Sequence, residues 1–257
     1  MKDKTILGSL DADLMDRVVS RRGAVARGGK MAGVAALASM PVMFGLMAKR
    51  AFAQTGALPQ SIIDVLNFAL TLEYLEDEYY RNGLSSGIIP AADQPIFSQI
   101  SAHEMAHVAL LKGALGTSAV APPTFDFTAG GAFDPFHNYD TFKALSQGFE
   151  DTGVRAYKGQ AANLIANDAI LTTALQIHSV EARHASAVRR LRGLKGWITG
   201  NQNDQPPLQP VYDGEENTIQ GGVDTAQFGT ADSASEAFDE PLLKEQVLAI
   251  VKPFIKA

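Results

Sequence analysis

The sequence predicts an all-α fold, a four-helix bundle with one long crossover, followed by a C-terminal loop region and a fifth helix. Three observations support this fold class. Four long segments carry apolar residues at the helical spacings of three and four, the last two of these segments are separated by only two or three residues, and a glutamate-containing motif occurs twice at identical spacing. No strand pattern competes with these helices.

The four helices are expected over residues 59–82, 93–116, 139–166 and 168–194. Asp93 and Asp168 have the chemistry of N-caps, and Pro95 suits a first turn. A loop rich in Gly, Ser and Pro joins the first two helices, and the short connection near Asn167 joins the last two. Short connections make antiparallel neighbours, so the chain forms two helical hairpins with a crossover between them.

The sequence divides into three parts. Residues 1–53 form an export signal, residues 54–199 the bundle, and residues 200–257 a C-terminal extension. The extension begins as a polar segment rich in Pro and Gly, which predicts an extended loop region. Residues 241–255 return to helical spacing and predict the fifth helix.

The N-terminal segment has the order of a secretory signal. Arg21 and Arg22 open a basic stretch, residues 31–48 carry no charge, and Ala51-Phe52-Ala53 is a small-x-small cleavage pattern before Gln54. The paired arginines resemble a twin-arginine export signal, which implies a periplasmic or cell-envelope protein. The alternative is a retained membrane anchor, because 18 uncharged residues approach the length that spans a bilayer.

Composition excludes several classes of function. The net charge is −6, but residues 1–53 hold 9 basic and 4 acidic residues, which leaves 13 basic and 24 acidic residues in the remainder. A body this acidic argues against nucleic-acid binding. The chain has no cysteine, which excludes disulfides, thiolate zinc sites, Fe–S clusters and cysteine nucleophiles.

Two E-x-x-H motifs carry the candidate chemistry, Glu104 with His107 and Glu181 with His184. Helical residues three apart lie about 4.5 Å apart along the axis on neighbouring parts of one face, so both side chains of a motif can reach one metal ion. Each motif lies on the apolar stripe of its helix. A carboxylate that faces a core is costly unless it is paired or metal-bound.

Each motif is preceded by a second glutamate at the same distance. Glu73 lies 31 residues before Glu104, and Glu150 lies 31 residues before Glu181. A tyrosine follows each of the two upstream glutamates by seven residues, at Tyr80 and Tyr157. The repeat indicates a pseudo-two-fold arrangement of the two hairpins.

The repeat predicts one dinuclear centre. Glu104 and Glu181 should face each other and bridge two ions about 3.5–4 Å apart. The outer sides are expected to pair Glu73 with His107 and Glu150 with His184. The four carboxylates carry a charge of −4, which two divalent ions, iron or manganese, would balance.

Several alternatives remain open from the residues alone. The motifs could form a buried polar network without metal, and Asp151 could replace Glu150 if the third helix is rotated. The acidic run 76–78 is interpreted as a solvated face, from which Asp77 or Glu76 could join the site.

Four further side chains are considered as neighbours of the ligands. Tyr80 and Tyr157 are expected to pack in the core with satisfied hydroxyls rather than to act in redox chemistry. His103 and His178 are expected to face elsewhere, and of the two, His178 is the better candidate to support a ligand because it shares a stripe with Glu181.

The chain resembles the exported ferritin-like domain proteins of bacteria, which are related to desiccation-associated proteins. The resemblance rests on LNFALTLEYLEDEYY, ISAHEMAH, FEDTGVRAYKGQA, HSVEARHA and AFDEPLLKEQVLAIVKPF, and it covers nearly all of the chain after the signal. It implies a ferritin-like bundle and the di-iron or di-manganese ligand set, one Glu from each of two helices and a Glu-x-x-His from each of the other two. It leaves the activity open.

Three functions fit these observations. The first is a redox enzyme acting on O2 or peroxide, as a ferroxidase, a peroxidase or a catalase-like enzyme. The second is a non-enzymatic metal-binding protein that protects the envelope under drying stress. The third is a homo-oligomer or a subunit of an envelope assembly, with contacts made by residues 200–238 and the fifth helix.

Overall fold

The computed structural model describes residues 58–256 and contains the expected bundle; the predicted signal segment lies outside the described residues. The four long helices are α1 (Gln60–Ser86), α2 (Gln94–Leu115), α3 (Tyr139–Gln160) and α4 (Asp168–Leu191). Helix α1 packs along α2 and α3 along α4, while α1 also contacts α3 and α2 contacts α4. The prediction of an all-α four-helix fold is confirmed.

The helix ends differ from the predicted ends in the capping residues. Asn167, not Asp168, caps α4, because its side chain accepts a hydrogen bond from the backbone N–H of Ile170. Asp168 lies in the first turn, where a carboxylate interacts favourably with the helix dipole. Asp93 occupies the N-cap position of α2 but makes no capping bond, because its carboxylate accepts a hydrogen bond from the Tyr139 hydroxyl at 2.6 Å.

The third helix is shorter than predicted. Its α-helical part ends at Gln160 and the chain continues as a 3-10 helix over Ala161–Leu164. Further 3-10 turns occupy Gly116–Ser118, Pro206–Val211, Thr225–Phe228 and Lys252–Phe254.

The C-terminal extension holds short elements. They are β1 (Ile219–Gln220) paired antiparallel with β2 (Val223–Asp224), then α5 (Ala231–Ser235) and α6 (Lys244–Val251). The two-residue strands were not expected. Helix α6 is the predicted fifth helix, and its α-helical part is shorter than residues 241–255 because Pro253 cannot donate the next backbone hydrogen bond.

The end of the chain pairs with the crossover between the hairpins. The backbone N–H of Asp126 donates to the carbonyl of Phe254 at 2.8 Å, and the N–H of Lys256 donates to the carbonyl of Thr124 at 2.9 Å. Nearby, Tyr79 of α1 stacks on Phe142 of α3 with ring centroids 5.0 Å apart. These contacts close the side of the bundle next to α1 and α3.

Arg155 of α3 anchors the extension. Its buried guanidinium donates to the carbonyls of Val211, Asp213 and Glu240 and forms an ion pair with Glu215 at 2.8 Å. Part of the segment that could serve assembly contacts is therefore anchored to α3 of this chain, while Ile219, Val223 and Phe228 remain exposed. Within residues 58–256, no helix combines the length and the apolar character needed to cross a membrane.

Candidate metal centre

The six predicted ligands lie together in the centre of the bundle, with two or fewer from each helix. All four glutamates are fully buried, and both histidines are nearly so. Their ligand atoms form two groups, in each of which all atoms lie within 4.8 Å of one another: Glu73, Glu104, His107 and Glu181; and Glu104, Glu150, Glu181 and His184. Glu104 and Glu181 therefore belong to both groups.

The histidines turn their Nδ1 atoms toward the carboxylates. His107 Nδ1 lies 3.1 Å from Glu73 Oε2 and 3.0 Å from Glu104 Oε2. His184 Nδ1 lies 3.1 Å from Glu150 Oε2 and 2.9 Å from Glu104 Oε1. The outer pairs are those that the sequence favoured, and Nδ1 is the ring nitrogen available to a metal in both motifs.

The two tyrosines cross between the hairpins. The Tyr80 hydroxyl of α1 donates to Glu150 Oε1 of α3, and the Tyr157 hydroxyl of α3 donates to Glu73 Oε1 of α1. Both tyrosines are buried, and these two hydrogen bonds satisfy their hydroxyls, as expected from the sequence. Each tyrosine thereby fixes the outer glutamate of the opposite hairpin.

Burial and mutual repulsion set the protonation of the carboxylates. Burial raises the pKa of Glu73 to about 7 although His107 opposes it. Burial also raises the pKa of Glu181 well above its usual range, and the charge of Glu104 adds to the effect. Glu104 differs, because His107 and His184 together outweigh its burial and hold its pKa below the usual range.

In the two imidazoles, the neighbouring carboxylates outweigh burial and determine the direction of the pKa shift. Burial lowers the pKa of His107, but the charges of Glu73 and Glu104 outweigh burial and raise it well above the usual value. The same balance, with Glu150 as the strongest neighbouring charge, raises the pKa of His184. Without metal the site therefore holds protons on groups that a metal ion would need deprotonated.

The residues fit a pair of divalent ions. Within residues 58–256, both oxygens of Glu181 and Oε1 of Glu104 are fully buried and accept no hydrogen bond. Two of these oxygens lie close to imidazoles, with His107 Nδ1 3.1 Å from Glu181 Oε1 and His184 Nδ1 2.9 Å from Glu104 Oε1. Buried carboxylates are costly unless cations or hydrogen-bond donors compensate them. The donor set, four carboxylates and two imidazoles around one space, is the kind that binds iron or manganese.

The acidic run 76–78 divides between core and surface. Glu76 is only 3% exposed and lies against the site, which contradicts its interpretation as part of a solvated face. Burial raises its pKa well above the usual range, and Glu181 adds to the effect. Asp77 does not join the site, because it turns outward and forms an ion pair with Arg81 at 3.0 Å. The signal for Glu76 was its spacing of three from Glu73, on the same face of α1.

Of His103 and His178, which were both expected to face elsewhere, the structure places His103 beside a ligand, whereas His178 was the better candidate from the sequence. His103 Nδ1 lies 2.8 Å from His184 Nε2, so His103 faces the site across the α2–α4 contact. His178 contacts no predicted ligand by hydrogen bond; its Nε2 is buried without a hydrogen-bond partner in the described part of the chain. The charges that act on it are those of Asp239 in the C-terminal extension and Lys158 near the end of α3.

Gln99 extends the contact of His103 toward the surface. Its Nε2 lies 2.7 Å from His103 Nε2, and the stacked rings of His103 and His184 lie 5.1 Å apart. Burial, followed by the nearby His184, lowers the pKa of His103 to about 4. The sequence could not reveal this contact, because it depends on the rotation of α2 relative to α4.

Asp151 does not replace Glu150. Its carboxylate accepts hydrogen bonds from the guanidinium of Arg189 and from the Tyr212 hydroxyl, the latter at 2.9 Å. These contacts lie on the side of α3 that faces the C-terminal extension. The rotation of α3 therefore directs Glu150 into the bundle and Asp151 away from its centre.

A model of the ferritin-like domain family matches residues 61–194, more than half of the chain. The matched region contains most of α1 and the whole of α2, α3 and α4, with all six predicted ligands. No curated protein sequence matches the chain.

Proposed function

We infer that this chain, which belongs to the ferritin-like domain family, binds two metal ions as a single dinuclear centre. The observation that carries this inference is the presence of Glu104 and Glu181 in both groups of buried ligand atoms. Each carboxylate has two acceptor oxygens, so each of these glutamates can bridge two ions. The other two glutamates and the two histidines would complete the outer side of each ion.

We propose iron or manganese as the metal. Four carboxylates outnumber two imidazoles, which makes the site harder than typical zinc or copper sites. The chain also offers no thiolate that would favour zinc or copper(I). A carboxylate-rich site of this kind tolerates the change between divalent and trivalent ions.

The proposed activity is redox chemistry on O2 or peroxide, of the ferroxidase, peroxidase or catalase-like kind. When bound, two bridged iron or manganese ions supply two-electron exchange with such an oxidant. An apolar cavity of about 20 Å³ is lined by residues of all four long helices, Tyr157 among them. This volume holds one molecule of about the size of water, and a small oxidant there would lie beside Tyr157, whose hydroxyl contacts Glu73.

The side chains around the ligands have positioning roles in this proposal. The two crossing tyrosine hydroxyls hold Glu73 and Glu150, so the outer carboxylates are oriented before metal binds. His103 orients the ring of His184, because His103 Nδ1 contacts His184 Nε2. Burial of all four ligand glutamates keeps bulk water from the space between them.

A second candidate function follows from the same burial. A fully enclosed centre also suits a metal that is sequestered or that only stabilises the fold of a stress-protection protein. Turnover of Fe(II) or hydrogen peroxide by the loaded protein distinguishes the two functions, because a stabilising metal would show none.

Export through the twin-arginine route is also proposed, on the sequence pattern of residues 1–53 alone. The test is N-terminal sequencing of protein from the native host, with the mature chain expected to begin near Gln54. Replacement of Arg21 and Arg22 by Lys should block export. Recovery of an intact segment 31–48 from membranes would favour the anchor.

The experiment for the dinuclear centre is metal stoichiometry of three proteins loaded with Fe(II) without oxygen. Wild type should hold two ions. Glu104→Ala should lose both because it removes a bridging ligand, whereas Glu73→Ala should mainly weaken one. Exposure of each loaded protein to O2 or peroxide then measures activity. Equal losses in the two variants would contradict the bridging role of Glu104.

A further inference from the structure

Glu76 and Gly153 mark the place where the repeat of the two hairpins breaks. The ligands and tyrosines of the first hairpin recur 77 residues later in the second, but Glu76 is matched by Gly153. The first hairpin thus carries a carboxylate that the second lacks. An extra buried carboxylate on one side of a symmetric site requires its own explanation.

Gly153 leaves the space that Glu76 occupies. A Cβ atom on Gly153 would lie 3.3 Å from Glu76 Oε1 and 3.3 Å from Glu181 Oε2, closer than side chains ordinarily approach. Two carboxylates, from α1 and α4, therefore converge on the bare backbone of α3. Glycine inside a helix weakens the helix, so its presence here indicates a need for room.

Glu76 itself forms no ion pair within residues 58–256, and the imidazole near Glu181, with His107 Nδ1 3.1 Å from Glu181 Oε1, lies at the oxygen that does not face Gly153. The charges that act most strongly on Glu76 are all carboxylates, with Glu181 first. Oε2 of Glu181, the oxygen next to Gly153, is buried and accepts no hydrogen bond in the part of the chain that the structure describes, and His184 Nδ1 lies 4.0 Å from it. Two buried carboxylates that face one space must either hold protons, as in the apo site, or have a cation between or beside them.

We propose that Glu76 is a seventh metal ligand, which binds the metal pair from the side of Glu181 in the room left by Gly153. This inference rests on the proposed dinuclear centre and specifies it further. With Glu76 the five glutamates carry a charge of −5, which is one negative charge more than two divalent ions balance. The ligand charge therefore favours a pair with at least one trivalent ion, and so metals that change their oxidation state.

The test compares Glu76→Gln with wild type and with a matched control, Glu78→Gln. Glu78 lies two residues away on α1 but is partly exposed and outside the site. Each protein is titrated with Mn(II), and separately with Fe(II) without oxygen, to give the stoichiometry and the affinity of each ion. Glu76→Gln should bind one ion at least about tenfold more weakly, whereas the control should stay within about twofold of wild type.

Two further measurements separate ligation from a general effect on folding. The apo form of Glu76→Gln should melt no lower than apo wild type, because glutamine is neutral at this buried position without having to bind a proton. In the iron-loaded form its reduction potential should shift upward, because the trivalent state loses a negative ligand. A crystal structure of Mn-loaded wild type should show a Glu76 oxygen bound to an ion.

Gly153→Ala is a second, independent variant. Alanine favours the helix, but its Cβ crowds both carboxylates, so the affinity for one ion should fall while the apo protein stays folded. Wild-type affinity for both ions in Glu76→Gln and in Gly153→Ala would overturn the role of Glu76 and leave the dinuclear centre intact. A wild-type protein that binds neither metal would overturn both inferences.

Discussion

Two buried clusters of charge lie on opposite sides of α3. The arginine cluster consists of Arg155 with Glu215 and Arg189 with Asp151, between α3, α4 and the C-terminal extension. The glutamate cluster lies in the bundle centre and consists of Glu73, Glu76, Glu104, Glu150 and Glu181. The first cluster contains as many guanidinium groups as carboxylates, whereas the second faces only two imidazoles.

The difference shows which cluster the chain completes by itself. In the arginine cluster, Arg155 contacts Glu215 and three backbone carbonyls, so its charge is compensated within the protein. Glu215 Oε2 is the one carboxylate oxygen of this cluster that is buried without a hydrogen bond in the described residues. In the glutamate cluster, Glu181 has two buried oxygens without a hydrogen bond in the described residues. The first arrangement stabilises the fold as it stands, and the second is suited to cations from outside.

The largest expected effect concerns the arginine cluster. Arg155→Met removes the partner of Glu215 and leaves a buried carboxylate unpaired, so the free energy of unfolding should fall by about 3–5 kcal/mol. The loss should be the same with and without metal, because Arg155 lies outside the glutamate cluster. Urea unfolding of both forms measures it. A loss of under about 1 kcal/mol, or one that depends on metal, would break the comparison.

The glutamate cluster should make the apo protein sensitive to pH. Burial raises the pKa of Glu73 from 4.5 to about 7, so the folded apo state binds more protons than the unfolded chain between these values. The stability of the apo protein should therefore fall as the pH rises through this window, by roughly 3 kcal/mol for this group alone. The raised pKa values of His107 and His184 act in the same direction.

Bound metal should remove this dependence, because the ions hold the ligands deprotonated and their affinity increases with pH. Melting temperatures of the apo and loaded proteins between about pH 5 and about pH 8 provide the measurement. An apo protein whose melting temperature is flat or rises over this range would contradict the repulsion among the glutamates.

Removal of a charge should have opposite consequences in the two clusters. Glu181→Gln removes the need to bind a proton at a position where burial and Glu104 raise the pKa of the carboxyl, so the apo protein should become more stable, by about 1–2 kcal/mol. The same variant should lose the binding of both ions. Calorimetric melting with and without Mn(II) measures both effects. A less stable apo variant would mean that groups of the protein compensate the charge of Glu181, as they do in the arginine cluster.

The smallest effect is expected at His103, which supports His184 but has no equivalent beside His107. Val180 stands at the matching position of the second hairpin. His103→Ala should weaken the ion bound by His184 by about tenfold and leave the other nearly unchanged. Titration with Mn(II) should then show two separated affinities. An equal change at both ions would mean that His103 acts on the bundle as a whole.

The sequence was sufficient for the features that depend on spacing along one helix. The positions of Glu104 and His107 on an apolar stripe, and their repeat at Glu181 and His184, predicted the bundle and the convergence of the six side chains. The contact of His103 with His184 and the burial of Glu76 depend on how neighbouring helices rotate against each other. Spacing of three from Glu73 was a signal for Glu76, but the acidic residues beside it suggested a surface.

The contacts of the arginine cluster could not be predicted from the sequence either, because they too depend on how separate parts of the chain pack. Arg155 and Asp151 meet side chains and carbonyls from α4 and from residues 211–240, which are remote in sequence. The sequence predicted Asp168 as the N-cap of α4, whereas Asn167 is the cap. The two positions differ by one residue and both side chains can cap a helix, so the sequence does not distinguish them.

The central claim is that the glutamate cluster holds two bridged ions. The most direct test is a structure of the wild-type protein loaded with Fe(II) or Mn(II), together with a measurement of the metal content of the same sample. Two ions per chain about 3.5–4 Å apart are expected, with Glu104 and Glu181 each bound to both. A protein that binds at most one ion, or two ions too far apart to share a carboxylate, would contradict the dinuclear centre and the two-electron chemistry proposed for it.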